Sequence, residues 1–244
     1  MGGTVLKSLM DILYPRRCAI CGEIVSTRGA FACPDCKDKL TKINEPRCKK
    51  CSKPIESEEK EYCHDCEKKH FHYIKGFSMW VYDSNMKKSI SDFKFHGRRE
   101  YGDFYVHEVI NRYKNEILNI KPDALIPIPI HRTKKVQRGY NQAEILAKGI
   151  GKELGIPVLA NLLIRDKKTL PQKQLNDKER LKNLEKAFSF SNEVGETNRN
   201  ILRKVILVDD IYTTGSTIEA CTNILLCNKI EEVYFISICI GKGY

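Results

Sequence analysis

Two groups of residues in this chain have the types and spacing for chemistry. The first is eight cysteines: Cys18, Cys21, Cys33, Cys36, Cys48, Cys51, Cys63 and Cys66. They form four C-x-x-C pairs, each beginning 15 residues after the last. A C-x-x-C turn aims two thiolates at one centre, and two such turns complete the tetrahedral shell that zinc prefers. Few large apolar residues lie between the pairs, so metal binding must supply the folding energy of this stretch. We expect two structural zinc sites with consecutive ligands, Cys18, Cys21, Cys33 and Cys36 in one and Cys48, Cys51, Cys63 and Cys66 in the other. An interleaved pairing stays open. A disulfide framework suits secreted chains, and nothing here indicates secretion; an iron–sulfur or redox role is the third reading. Closed four-thiolate shells leave no position for catalysis. His64 and His70 lie beside completed ligand sets and read as surface residues. Cys221, Cys227 and Cys239 alternate with Ile, Leu and Ala and read as small buried hydrophobes.

The second group is Val205 to Thr217, V-I-L-V-D-D-I-Y-T-T-G-S-T. An apolar run ends in two carboxylates, Asp209 and Asp210. Thr213, Thr214, Gly215, Ser216 and Thr217 follow, and a helix begins. Ligands of parallel α/β sheets bind at the carboxyl ends of strands. A helix start offers unpaired N–H groups to an anion. Gly215 lets the backbone approach closely, and four hydroxyls can donate to phosphate oxygens. Paired carboxylates would repel a bare anion; they suit sugar hydroxyls, met directly or through magnesium. The pattern therefore describes a cradle for a phosphorylated ribose. A pair of acids that merely caps a helix, or a receiver-type magnesium site, would not need the run of hydroxyls that follows.

The elements that must position these groups are legible around them. Lys204 to Asp209 reads as a central parallel strand buried on both faces. Thr217 to Cys227 reads as a helix and Val233 to Ile240 as the last strand. Upstream, Phe77 to Tyr82 has strand character, and Ser84 to Phe95 and Tyr101 to Leu118 look helical. Ala124 to Ile130 is a short strand ending in prolines at a sheet edge or strand end. A helix runs from Asn141 to Leu154, with Asn141 and Glu144 placed for a capping box. Val158 to Ile164 is a further strand. Strands alternating with helices argue for an α/β parallel sheet covered on both faces.

Composition narrows the class. The chain has 244 residues, 41% hydrophobic and 30% charged, which fits a folded domain with a small appendage. No stretch approaches the roughly 20 apolar residues that span a bilayer. Met1 to Tyr14 is interrupted by Lys7 and Asp11 and reads as a short packing helix, with Val5, Leu9, Ile12 and Leu13 on one face, rather than a signal peptide. Gly2 would suit myristoylation, but Leu6 breaks that motif. A cytoplasmic protein is expected. The formal net charge is +11; eight thiolates and two zinc ions together subtract four charges, leaving +7. The surplus is spread along the chain, which suits an anionic partner, phosphate or nucleic acid, or else a well-solvated basic surface.

The loop from Val205 to Thr217 closely resembles the diphosphoribose loop of type I phosphoribosyltransferases. The whole chain resembles the ComF family. Its landmarks come in order: the cysteine ribbons, L-I-P-I-P-I-H-R-T-K-K-V-Q-R-G-Y-N-Q (Leu125 to Gln142), Q-K-Q-L-N-D-K-E-R-L-K-N-L-E-K-A-F (Gln172 to Phe188), then the loop. The resemblance implies a type I phosphoribosyltransferase-like parallel sheet with helices on both faces, over residues 76–244. A small zinc-ribbon module precedes it, over residues 1–75. It implies that Asp209 and Asp210 meet the ribose 2′- and 3′-hydroxyls and that Thr213, Thr214, Gly215, Ser216 and Thr217 hold the 5′-phosphate. His131 and Arg132 would occupy the pyrophosphate side. Arg138 would reach the same anion or fix the loop. Phosphoribosyl diphosphate, or a related ribose phosphate, would bind with magnesium.

The family is linked to competence and DNA uptake in natural transformation, so single-stranded DNA and a ComFA-like helicase are the implied partners. A phosphoribosyltransferase acting on a small nitrogenous acceptor and a non-catalytic phosphoribosyl sensor are the alternatives; no residue set identifies an acceptor or a catalytic group. The stretch Asp166 to Arg180, with Lys167, Lys168, Lys173, Lys178 and Arg180, would close over the site, track a nucleic-acid backbone or form a solvated loop. Phe31, Tyr62, Phe71 and Tyr73 would stack bases or pack within the ribbons. Two separate modules imply that removing zinc releases the ribbons without melting the sheet.

Overall fold

A computed structural model describes residues 15–27, 29–165, 184, 186–191 and 202–241. The helix expected over Met1 to Tyr14 and the basic stretch Asp166 to Arg180 lie outside the described residues.

The cysteine pairs fold as two copies of one design, offset by 30 residues. In each copy a narrow bridge joins the flanks of the first knuckle, Arg17 to Ile24 and then Arg47 to Pro54. Within it, Gly22 N–H donates to Cys18 and, in the second copy, Ser52 N–H donates to Cys48, each at 2.9 Å. Gly22 and Ser52 both take positive φ, 84° and 69°, as this turn requires. The second knuckle of each copy opens a short helix, α1 (Pro34–Asp38) and α2 (His64–Lys68), with Cys33 and Cys63 at the start.

Behind the ribbons lies a four-stranded parallel sheet in the order β1-β6-β5-β2. Its strands are β1 (Gly76–Val81), β2 (Ala124–Pro127), β5 (Lys204–Tyr212) and β6 (Glu232–Ile240). A hairpin of β3 (Leu163–Arg165) and β4 (Phe188–Phe190) stands apart. The helices are α3 (Ser84–Phe95), α4 (Tyr101–Ile120), α5 (Arg132–Arg138), α6 (Gln142–Leu154) and α7 (Ser216–Cys227). Ile206 and Val208 of β5 pack with α3, α4 and α6 on one face, while Val205 and Leu207 pack with α7 on the other. The long apolar runs of β5 and β6 reflect burial on both faces.

Several expected boundaries move. β5 continues past Asp209 to Tyr212. β2 ends at Pro127, although the next N–H, that of Ile128, still donates to the Val208 carbonyl at 2.9 Å. Val158 makes one bridge to Leu125, and the strand in that region is β3, beginning at Leu163. Asn141 caps α6 by accepting from Ala143 N–H at 3.2 Å. Glu144 does not return the bond of a capping box; it pairs with Lys148 at 2.7 Å instead. Cys221 and Cys239 are buried, but Cys227 is exposed. It falls off the face of α7 formed by Ile218, Cys221, Thr222 and Leu225.

The ribbons and the sheet share their cores. The linker between the ribbons lies antiparallel along the edge of β1: Lys42 pairs with Trp80, and Val81 N–H donates to Thr41 at 2.9 Å. The first ribbon's Cys18, Ala19, Ile20 and Leu40 pack with the α3 and α4 face. The second ribbon's Cys48, Cys51 and Cys63 pack with the opposite face, beside Tyr212, Ile218 and Phe235. The ribbons thus grip one sheet edge from both sides. Arg112 of α4 donates to the Ile43 carbonyl. Arg47 donates to Tyr113 at 2.8 Å, and Tyr113 donates to the Ser78 carbonyl at 2.7 Å. At the base of the grip Gly76 faces Phe235, and a Cβ there would come within 2.0 Å of the ring. We propose that the boundary between residues 75 and 76 marks a change in secondary structure and not a division between independent folding units.

Trp80, the single tryptophan, lies at this junction, stacked on Phe104 with ring centroids 5.4 Å apart. Stripping zinc with a strong chelator is expected to perturb Trp80 fluorescence together with zinc release, in one transition. Zinc leaving while the tryptophan signal holds would show that the sheet stands alone.

Candidate functional site

The eight ribbon cysteines gather as two sets. The sulfurs of Cys18, Cys21, Cys33 and Cys36 all lie within 4.8 Å of one another, and so do those of Cys48, Cys51, Cys63 and Cys66. Cys51 and Cys63 Sγ are 3.6 Å apart. Zinc–sulfur bonds of about 2.3 Å place the vertices of a tetrahedron roughly 3.8 Å apart, so both sets fit zinc with consecutive ligands. His64 and His70 are exposed beside the second set. Phe71 and Tyr73 are buried in the shared core and offer no face to a base, whereas Tyr62 is exposed on the second ribbon.

The second centre sits where β5 ends. Successive strand residues face opposite sides, and the two acids diverge accordingly. Asp210 turns toward α3, where Lys94 Nζ lies 2.8 Å from its Oδ1. Asp209 turns toward Arg165 at the end of β3 and Cys221 on α7, whose electrostatic fields it shares. Asp210 N–H donates to Asp209 Oδ1 at 2.8 Å. Asp209 keeps some surface open to solvent, yet it is crowded on all sides by protein atoms. That burial, reinforced by the charge of Asp210, pushes its carboxyl up to about 7 against the opposing pull of Lys94 and Arg165.

Four cations converge here from three elements: Lys94 on α3, Lys134 and Arg138 on α5, and Arg165 on β3. Burial lowers the pKa of Lys134 first; Arg165, Arg138 and Lys94 lower it further, and Asp210 opposes them. Like charges that depress one another share one space. Arg138 faces one of the acids and also ties down its own segment. It lies in the field of Asp210, and it fixes the chain by stacking 4.7 Å over Phe95 and donating to Gln142 at 3.0 Å. Its Nε is buried without a partner among the described residues. His131 instead caps α5, accepting from Thr133 N–H at 3.2 Å, and Arg132 is exposed on the first turn.

The loop from Thr213 to Thr217 completes the centre. Thr213 is exposed, and the Thr214 and Ser216 hydroxyls are 3.0 Å apart. Gly215 sits at φ 81° and no side chain caps α7. The first helical bond comes from Glu219 N–H to the Gly215 carbonyl, and the earlier N–H groups of α7 have no backbone partner among the described residues, the arrangement that suits an anion at a helix start. A Cβ at Gly215 would come within 2.4 Å of the Tyr212 hydroxyl and 2.9 Å of Phe71, so only glycine fits. The loop, the acids and Arg138, all singled out from the sequence, lie together here, while His131 and Arg132 turn to capping and to solvent. Sequence reasoning missed Lys94, Lys134 and Arg165, because nothing local distinguishes them from the other lysines and arginines of a chain holding 42.

The raised Asp209 has a consequence for stability. Between about pH 4, where a free aspartate titrates, and about pH 7 the folded chain keeps a proton that the unfolded chain releases. Its contribution is therefore present at low pH and is lost as pH rises through about 7. Asp209→Asn should leave stability unchanged near pH 4 and raise it by up to about 4 kcal/mol near pH 8. A variant whose melting temperature tracks the wild type across that range would refute the burial.

Comparison with known proteins covers both parts of the chain. Residues 9–67 match the double zinc ribbon domain. Competence protein F of Haemophilus influenzae is 31% identical over 83% of this chain and 94% of its own length. Competence protein ComFC of Bacillus subtilis is 27% identical over 80% of this chain and 77% of its own length. DNA utilization protein YhgH of Escherichia coli is 24% identical over 93% of this chain and 98% of its own length. A solved adenine phosphoribosyltransferase from Trypanosoma brucei aligns with 68% of this chain and 83% of its own, at 12% identity and a TM-score of 0.38. With cysteine ribbons, a parallel sheet and near full-length similarity in one chain, the protein belongs to the competence protein F and ComFC family.

Proposed function

We propose that the chain binds phosphoribosyl diphosphate, or a related ribose phosphate, at the end of β5, and that it serves DNA uptake in natural transformation. The observation that carries the first part is the convergence of Asp209, Asp210 and four cations beside the uncapped start of α7. The 5′-phosphate would take the N–H groups and hydroxyls from Thr213 to Thr217. Sugar hydroxyls would donate to Asp209 and Asp210. Lys134, Arg138 and Arg165 would meet a diphosphate, with His131 and Arg132 on its outer side. Magnesium fits as a companion of the diphosphate: two carboxylates, one already paired with Lys94, suit an ion that keeps phosphate and water ligands.

The role in DNA uptake rests on relatives named competence protein F, competence protein ComFC and DNA utilization protein YhgH. Single-stranded DNA is the proposed macromolecular ligand, a ComFA-like helicase the proposed partner and the cytoplasm the proposed location. The charge surplus, formally +11 and +7 with both zinc sites filled, supports a polyanion. No helix among the described residues is long and apolar enough to cross a membrane. Binding is the activity proposed; transfer to a nitrogenous acceptor would be shown by pyrophosphate release.

Calorimetry with ribose 5-phosphate and with phosphoribosyl diphosphate plus magnesium tests the site. Hydrogen bonds to charged groups contribute about 1.5–3 kcal/mol each. Replacing both acids, Asp209→Asn with Asp210→Asn, is therefore expected to weaken binding at least about 100-fold while the fold persists. Unchanged affinity would place the ligand elsewhere. Single-stranded DNA affinity should fall with salt, by about 0.7 in log affinity per log salt for each phosphate engaged; a flat profile would exclude backbone contacts.

A further inference from the structure

The segment leaving the second ribbon, Phe71 to Tyr73, is wedged against the far side of the loop at Thr213 to Thr217. The Phe71 ring closes over Gly215 and stacks with Tyr73, centroids 5.1 Å apart. Tyr73 shares a 2.7 Å hydrogen bond with Tyr212, the residue that begins the loop. Tyr73 and Tyr212 both pack on Phe235, at 5.0 and 4.9 Å. His72 N–H donates to both oxygens of Glu219, at 3.1 and 2.9 Å, and its ring pairs with the same carboxylate.

Glu219 lies in α7, just inside the helix start, and is only 3% exposed. A buried carboxylate is costly without partners, so His72 holds the first turn of α7 in place. The second ribbon's ligands are close by: Cys48, Cys51 and Cys63 pack in one buried cluster with Phe71, Tyr73 and Tyr212. The first ribbon packs on the opposite face and makes none of these contacts among the described residues.

We propose that Phe71, His72 and Tyr73 are positioning residues for the phosphate loop, so that the second zinc site, and not the first, sets the conformation of Thr213 to Thr217. The mechanical link stands on contacts within the chain; its meaning for ligand binding rests on the ribose-phosphate reading above. By linkage, a ligand that tightens the loop also tightens the second ribbon around its metal.

Amide hydrogen exchange on the full, zinc-loaded, ligand-free chain tests the link without assuming a ligand. In Phe71→Ala with His72→Ala, amides from Thr213 to Glu219 are expected to exchange about 10-fold faster, equivalent to about 1.4 kcal/mol. Those of Val205 to Val208 should be unchanged and both zincs retained. Ser89→Ala, which removes a contact between α3 and the Ala19 carbonyl of the first ribbon, should leave the loop unaffected. Unchanged loop exchange in the double variant overturns the proposal, as does equal acceleration along β5, which would mean general loosening. In a second arm, ribose 5-phosphate affinity falls by a similar factor in the double variant. A loosened loop in a chain whose wild type binds no ribose phosphate would sink the sugar-phosphate reading and leave the positioning role standing.

Discussion

Two neighbouring carboxylates at the end of a buried strand impose a constraint on everything around them. Removed from water, each needs positive charge or hydrogen-bond donors, and each raises the cost of ionising the other. Here the strand's alternation sends them to different faces, and the molecule meets them separately. Lys94 reaches Asp210 from α3, and Arg165 comes to Asp209 from β3. The short helix α5 must lie across the end of the sheet to add Lys134 and Arg138. That placement is held by the end of β2, where Ile128 N–H donates to the Val208 carbonyl, and by Asn141, which donates to the Ile128 carbonyl at 3.0 Å. With four cations around two acids, the centre has an excess of positive charge, which is the electrostatic basis of the ribose-phosphate binding proposed above.

The ribbons belong to the same mechanical system. A compact parallel sheet of four strands has one face covered by three helices and the other chiefly by α7. The second ribbon supplies the missing cover on the α7 side, through Tyr73, Phe71 and the knuckle cysteines. The first ribbon extends the cover beside α3 and α4. Burial of each large apolar side chain contributes about 1.5–3 kcal/mol, so a stretch that cannot fold on its own apolar content gains from the sheet and returns stability to it. Two metal-closed knots and one sheet edge are held as a unit.

How much of this is legible in the sequence depends on the range of the interaction. The cysteine pairs, the apolar run of β5 and the hydroxyl-rich loop announce themselves because each is a local pattern with a period or spacing. The 15-residue cysteine spacing is legible too, but the folded repeat is 30 residues, two pairs per unit, because one metal consumes two knuckles. Lys94 and Arg165 are not legible: they matter only because α3 and β3 bring them to β5 from more than 100 and about 40 residues away along the chain. The wedge of Phe71 to Tyr73 reads locally as ribbon aromatics, and only the fold shows the rings inside the core. Cys227 misleads for a simpler reason: apolar neighbours in sequence do not place a residue on the apolar side of a helix.

The antiparallel pairing of Lys42 with Trp80 has one more effect. An outer strand is an open row of donors and acceptors, and other chains can adhere to it. On this sheet the linker between the ribbons already occupies that row along β1, and Val158 takes part of the corresponding row along β2. Self-association by strand addition is thereby discouraged at both borders. Along those covered stretches another chain would meet side chains and loops and not an open row of backbone groups.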